Sequence, residues 1–356
     1  MPAGSFRAVI TSDRYGDADA DYTLERSALA RFPDLTVELV GHQARAEDEL
    51  IAAAAGADVL LVSTREAINA RVLSAIPSVK VISRYGVGLD NIDLDAATAN
   101  GIVVTHYPGY CTSEVADHAF ALILALNRRI VELDRDLHDG AWADHQATTT
   151  AILRGPVRPL GEMTLGIVGF GRIGQSVAQR ARPFGLDIIA SDPYLPPESF
   201  AALGVEGMEL DALLGRADII TVHCPLTPET RGLIDAQQLA HVKPDAVIVN
   251  TARGPIIDLL ALVDALTSGR LAGAALDVVD PEPLPLDHPL YTLPNVILTP
   301  HAAYYSERSV ETVRIETLAE ALTVLAGRSP RTVANPLVLD RVNRAGIAST
   351  PAASTE

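Results

Sequence analysis

The sequence predicts an α/β fold built from two doubly wound parallel sheets, and three observations predict it. Short β-branched apolar runs recur with helix-like segments between them. The runs are apolar throughout instead of alternating, as strands covered by helices on both faces are. The series stops once, at a long helical segment, and then begins again, which divides the chain into two such domains.

The first series is AVITS around Val9, VELV from Val37, VLLVS from Val59, VKVIS from Val79 and IVV from Ile102. The interruption is Ser113 to Leu137, where Val115, Ala119, Leu122, Leu126 and Ile130 recur at helical spacing and predict one long, largely buried helix. The second series is LGIVGF from Leu165, DIIAS from Asp187, DIITVHC from Asp218, AVIVNT from Ala246, AALDVV from Ala274 and VILTP from Val296. A further helix is predicted from Ser306 to Leu325, on Val310, Val313, Ile315, Leu318 and Leu322, closed by Gly327 and Pro330. Residues 336–356 are expected to form a largely disordered tail, because the stretch from Ala345 is too small and polar to pack.

Composition narrows the function classes. Among 356 residues, 28 basic against 45 acidic side chains give a net charge of −17, a field that repels nucleic acid. The longest apolar run, Ala119 to Leu126, is far short of the ~20 residues that span a bilayer, so no membrane partner is expected. The N-terminus lacks a basic region followed by an apolar stretch, and Cys111 and Cys224 make neither a disulfide framework nor a zinc site. A cytoplasmic protein without metal is the expectation.

The strongest chemical signal is LGIVGFGRIGQSVAQRA, in which Gly169, Gly171 and Gly174 follow a strand and open a helix in G-x-G-x-x-G spacing. Gly169 permits the tight turn, Gly171 lets backbone N–H groups approach a pyrophosphate, and Gly174 allows close packing of helix on strand. Asp192 stands 18 residues beyond Gly174 at the end of the next strand, placed to accept hydrogen bonds from an adenosine ribose. Its charge repels a 2′-phosphate, which favours NAD over NADP; a helix-capping aspartate before Pro193 is the bland alternative. Arg172 can neutralise the pyrophosphate, although an ordinary solvated arginine reads the same way.

Hydride transfer to a ketone needs a proton donor for the developing alkoxide and a cation for the substrate anion. Arg253 ends AVIVNTARG, Glu282 follows AALDVV in the turn DPEPLP, and His301 ends VILTPHAA. All three lie just past carboxyl ends of strands, the edge where open α/β sheets bind ligands. Singly each reads as a surface cation, a turn residue and a structural histidine; the constellation carries the weight.

GFGRIG, HCPLTPET, NTARG, DVVDPEP and TPHAA, in that order and spacing, resemble the D-isomer-specific 2-hydroxyacid dehydrogenase family, from about Val59 to Pro336. RYGVGLDNIDL, SDPYL, GAALDV and TPHAAYYSE are most similar to its C-terminal-binding-protein branch, with Tyr304 where that branch usually has tryptophan and Val87 where a smaller residue is frequent. The resemblance implies a Rossmann cofactor domain, residues 107–302, inserted into a flavodoxin-like substrate domain, residues 1–106 with 303–335. It implies NAD held also by Ile173, His223, Cys224, Pro225, Thr230, Thr251, Ala252 and Asp277. It implies His301 as acid/base, Glu282 fixing the imidazole, and Arg253 holding the substrate carboxylate with its planar fork.

Backbone N–H groups around Tyr85, Gly86 and Val87 are expected to complete the carboxylate cradle, Arg84 to meet an extra anionic group, and Tyr304 with Tyr305 to line the pocket. Surface or hinge packing explains Arg84 and the tyrosines equally well. The resemblance also implies a homodimer, with the helix after Ser113 in its interface. With few residues beyond Asn335, no regulatory domain of the kind some phosphoglycerate dehydrogenases carry is expected. Phosphoglycerate, hydroxypyruvate, lactate-type and phosphonate substrates all stay open. The alternative is a nucleotide-sensing corepressor-like module that binds protein partners, for which the acidic charge gives no support.

Overall fold

The computed structural model describes residues 5–143 and 157–344. The chain forms two units, Met1–Tyr110 with Ser306–Glu356, and Cys111–Tyr305. It therefore crosses between them at 110/111 and 305/306, where the sequence puts 106/107 and 302/303.

In the first unit the strands are β1 (Ser5–Ile10), β2 (Thr36–Gly41), β3 (Val59–Val62), β4 (Val81–Arg84) and β5 (Val103–His106), all parallel in the order β2-β1-β3-β4-β5. That is the flavodoxin-like doubly wound order. β3 and β4 are buried along their whole length, as apolar runs between helical layers should be. The C-terminal helix Glu307–Leu325 belongs to this unit: Ser306 caps it by accepting from the Ser309 N–H (2.9 Å), and Gly327 ends it at φ +72°. Asn335 ties the returning chain to β5, accepting from the Val104 N–H and donating to the Ile102 carbonyl, each at 2.9 Å.

The expected tail is in part a helix, Val338–Arg344. Val338 is fully buried and Leu339 packs on the core, so this stretch has the apolar anchor that the sequence beyond Ala345 lacks. Residues from Ala345 onward lie outside the described residues.

The second unit contains β6 (Thr164–Val168), β7 (Asp187–Ser191), β8 (Glu206–Gly207), β9 (Ile219–Val222), β10 (Val247–Asn250), β11 (Gly273–Leu276) and β12 (Val296–Leu298). They are parallel in the order β12-β11-β10-β9-β6-β7-β8. Every run expected to be a strand is one; the two-residue edge β8 was invisible because it has no apolar run. The order reverses between β6 and β9, and the crevice outside their carboxyl ends is where such sheets bind ligands.

The expected single helix over 113–137 is two, Thr112–Asn127 and Ile130–His138, separated by Arg129 at φ +54°. The Arg129 guanidinium grips Glu132 through two bonds of 2.8 and 2.7 Å at the start of the second helix. The first helix packs Ala116, Ala119, Phe120, Leu122, Ile123 and Leu126 into the core of its own unit. No described helix is long and apolar enough to cross a membrane.

Candidate active site

The glycine loop follows β6, and each glycine has its own physical reason. Gly169 sits at φ +89°, and a Cβ there would lie 2.5 Å from the Cys224 nitrogen. At Gly174 a Cβ would lie 2.3 Å from the Gly169 carbonyl oxygen, so only glycine lets this helix rest on its strand. Gly171 differs: it is the N-cap of Arg172–Ala181, and a Cβ there would meet nothing within 4 Å. Its missing side chain opens space directly before a helix N-terminus. Arg172 is exposed at the first helical position, while Ile173 packs against the core.

Asp192 ends β7 and braces this loop. Its Oδ2 accepts from the Phe170 N–H (2.9 Å) and its Oδ1 from the Tyr194 N–H (3.1 Å). It caps no helix; the next one, Pro197–Ala202, is capped by Pro196.

The facing wall is the end of β9. The His223 N–H donates to the Val168 carbonyl (2.7 Å), and its Nε2 lies 2.8 Å from the Thr221 hydroxyl. Burial pushes the His223 imidazole down to about 3, so it is neutral near pH 7, and its buried Nδ1 has no partner among the described residues. Burial pushes the Cys224 thiol up to about 11, which removes it as a nucleophile. The Thr251 hydroxyl, at the end of β10, is likewise buried without a partner. Because Val222 pairs with Asn250, His223 and Thr251 are the next residues on adjacent strands, and two unsatisfied polar atoms mark this edge. Thr230 instead closes a turn, donating to the Pro225 carbonyl (2.7 Å) and accepting from the Thr227 N–H (2.8 Å).

Arg253, Glu282 and His301 follow β10, β11 and β12, three neighbouring strands at one edge. His301 Nδ1 lies 2.8 Å from Glu282 Oε1. With a carboxylate as partner Nδ1 carries the hydrogen, leaving Nε2 to exchange a proton. The Asn250 side chain shapes the preceding turn, donating to the Arg253 carbonyl and accepting from the Ala252 N–H, each at 2.9 Å; Arg253 Nη1 donates to the Ala252 carbonyl (2.7 Å). His301 itself is left-handed, at φ +54°, with its N–H donating to the Asp277 carbonyl (2.8 Å).

The D-isomer specific 2-hydroxyacid dehydrogenase NAD binding domain matches residues 120–303, just over half of the chain. The chain belongs to that family. It is 44% identical over 280 residues to the D-3-phosphoglycerate dehydrogenase of Mycobacterium tuberculosis, covering 79% of this chain and 51% of that protein. It thus spans about half the length of the first curated relatives it matches. A glyoxylate reductase of Thermofilum pendens is 39% identical over 307 residues, covering 85% and 89% of the two chains. Among solved structures, a D-lactate dehydrogenase from Aquifex aeolicus complexed with NAD and lactic acid superposes with a TM-score of 0.76 at 30% identity, covering 91% and 96%.

The cofactor of this family member is NAD, and the residues fit it: the open cradle before Gly171, the carboxylate of Asp192, and the orphaned polar atoms of His223 and Thr251 lie at the switch-point edge. Three of the residues expected at the cofactor also make contacts within the protein. Thr230 and Pro225 close on each other as described. Asp277 is 2% exposed, and its carboxylate holds the His301 loop, accepting from the Thr299 hydroxyl (2.6 Å) and from the Ala302 and Ala303 N–H groups (2.9 Å each).

The candidate substrate loop lies in the first unit. The Tyr85 N–H donates to the Val62 carbonyl (2.8 Å) and the Gly86 N–H to the Arg84 carbonyl (2.9 Å), because β4 is still pairing with β3 where the turn begins. Those two amides are not donors for a carboxylate; Val87 is the remaining one of the three. Arg84 is 3% exposed and folded beneath its own loop, with Nη1 donating to the Tyr85 carbonyl (2.7 Å). It braces its own loop.

Below it, the Tyr85 hydroxyl donates to Glu25 (3.3 Å), a buried carboxylate that Arg314 grips through two 2.7 Å bonds. Burial holds the Tyr85 hydroxyl far above its ordinary value, so it stays a donor. Tyr304 is half-buried and packs edge-on to Tyr305, centroids 6.4 Å apart. Sequence reasoning missed Asn250, Thr299 and His118; the first two are polar residues ending apolar strands, a readable signal.

Proposed function

We propose that the protein transfers hydride reversibly between NAD(H) and C2 of a small D-2-hydroxyacid or 2-ketoacid, with His301 as acid/base. The His301–Glu282 contact of 2.8 Å carries this reading. Bound at the switch-point edge, NAD supplies or accepts the hydride. Glu282 holds the ring so that Nε2 gives its proton to the carbonyl oxygen during reduction and takes the hydroxyl proton in reverse. Arg253 holds the substrate carboxylate and polarises the keto oxygen.

Membership of the C-terminal-binding-protein branch rests on the motifs around Tyr85, Asp192, Arg253, Ala275 and Tyr304 alone, and no observation favours a corepressor role. The names of the relatives support glyoxylate, pyruvate-type and phosphorylated ketoacids as the first substrates to try. The test is a 2-ketoacid panel followed by NADH absorbance, on the natural protein and on His301→Ala. Turnover of at least one ketoacid is expected, with kcat in the variant lower by about a hundred- to ten-thousandfold and NADH binding retained. No turnover of any ketoacid, or equal loss of NADH binding, refutes the assignment.

A further inference from the structure

We propose that His118 is a positioning residue for the acid/base, holding, through Thr299 and Asp277, the left-handed turn that presents His301 to Glu282. This rests on the reading of His301 given above. His118 lies in the helix Thr112–Asn127, among the apolar residues Val115, Ala119 and Leu122 that the helix buries. Its Nε2 stands 3.1 Å from Thr299 Oγ1 and 3.6 Å from Asp277 Oδ1.

Counting hydrogens fixes the direction of the chain of bonds. A threonine hydroxyl has one proton. Thr299 gives it to Asp277 Oδ1, at 2.6 Å, because the other two partners of that carboxylate, the Ala302 and Ala303 amides, are donors and leave Asp277 in the acceptor role. Thr299 Oγ1 therefore accepts from His118, and His118 carries its hydrogen on Nε2. The order is His118 to Thr299 to Asp277, with Asp277 receiving the amides of the two residues that follow His301.

Asp277 thus grips the acid/base loop twice. Its carbonyl accepts the His301 N–H at 2.8 Å, and its carboxylate accepts the next two amides. His301 sits at φ +54°, a conformation that a residue with a Cβ keeps only where its surroundings hold it. The aim of the imidazole at Glu282 depends on that backbone. The N–H of His118 orients the Thr299 hydroxyl, and so orients the carboxylate that holds the turn.

Two variants test this. His118→Phe keeps a ring in the helix and removes the N–H, whereas His118→Gln returns an N–H at a similar reach. In His118→Phe, hydrogen exchange at the Ala302 and Ala303 amides should accelerate by about tenfold or more, with melting temperature and the KM for NADH little changed. With the best ketoacid kcat should fall about tenfold, as expected for a misaimed catalytic group. His118→Gln should recover most of both, and Thr299→Val, which cuts the next bond in the chain, should reproduce the His118→Phe exchange pattern. Unchanged exchange at Ala302 and Ala303 in His118→Phe and Thr299→Val overturns the proposal, as does a loss that His118→Gln leaves uncorrected. Accelerated exchange in a protein whose natural form turns over no ketoacid keeps the clamp and refutes the dehydrogenase reading instead.

Discussion

One chemical change, glycine to alanine, should give opposite results at two positions three residues apart. At Gly174 the new methyl would lie 2.3 Å from the Gly169 carbonyl oxygen and 3.1 Å from Ile167 Cγ2, about 1 Å inside normal contact with backbone that cannot rotate away. Overpacking of this kind costs about 1–3 kcal/mol, and at roughly 2–4 °C per kcal/mol for a unit of this size Gly174→Ala should melt about 2–12 °C lower. At Gly171 the methyl would meet nothing within 4 Å, and φ is −75°, which alanine adopts freely. The weaker N-cap and the reduced freedom of the unfolded chain offset each other, so stability should stay within about 0.5 kcal/mol. The methyl instead fills the approach to the helix N-terminus. Losing one charge-assisted N–H contact to a phosphate costs about 1.5–3 kcal/mol, so the Kd for NADH should rise about 10- to 150-fold. Calorimetric melting without cofactor, and NADH fluorescence titration, separate the two effects. If Gly171→Ala melts as low as Gly174→Ala, or binds NADH as tightly as the natural protein, the loop is a structural turn and its role as a pyrophosphate cradle is refuted.

Replacing Asp192 with serine removes a charge from the end of β7, and at ~4 Å unit charges interact by about 1–4 kcal/mol, so the preference for NAD over NADP in kcat/KM should fall at least about fivefold, less so in high salt. An unchanged ratio sinks the charge argument, since Asp192 would then serve only the Phe170 and Tyr194 amides. Glu320 gives a pH test: it is 3% exposed, and burial raises its carboxyl above the usual range against the opposing Arg331 and Thr332 amides and the Arg331 charge. A raised carboxyl makes ionisation unfavourable in the folded state, so the penalty is absent below the unfolded value near 4.3, grows as pH rises through the folded value, and is full above it. Glu320→Gln should therefore melt above the natural protein at pH 8 and match it at pH 4; a gain that is larger at pH 4 contradicts the sign.

What was legible in the sequence is what neighbouring residues decide among themselves. Strand, glycine turn and helix N-terminus are written within a few residues of one another at Gly169–Gly174, and a strand end puts Arg253, Glu282 and His301 on the binding edge wherever the strands later pair. Less was legible where a distant partner decides. Nothing near Arg84 says that its guanidinium folds under Gly86, or that Val62 and the Arg84 carbonyl take the Tyr85 and Gly86 amides. The break at Arg129 is hidden too, because Ile130 continues the apolar spacing while the backbone has already turned left-handed. Asp277 shows why this matters for function. By position, an aspartate just past a strand end reads as a ligand for something bound there, and the residue is indeed at that edge. By hydrogen count, three donors from Thr299, Ala302 and Ala303 already converge on it, and its own carbonyl takes a fourth from His301. The backbone at His301 is thus held by β11, and the carboxylate that holds it is linked through Thr299 to a histidine 181 positions away in the chain. A motif search finds His301, but the groups that hold its turn are recognisable only from donors and acceptors counted in three dimensions.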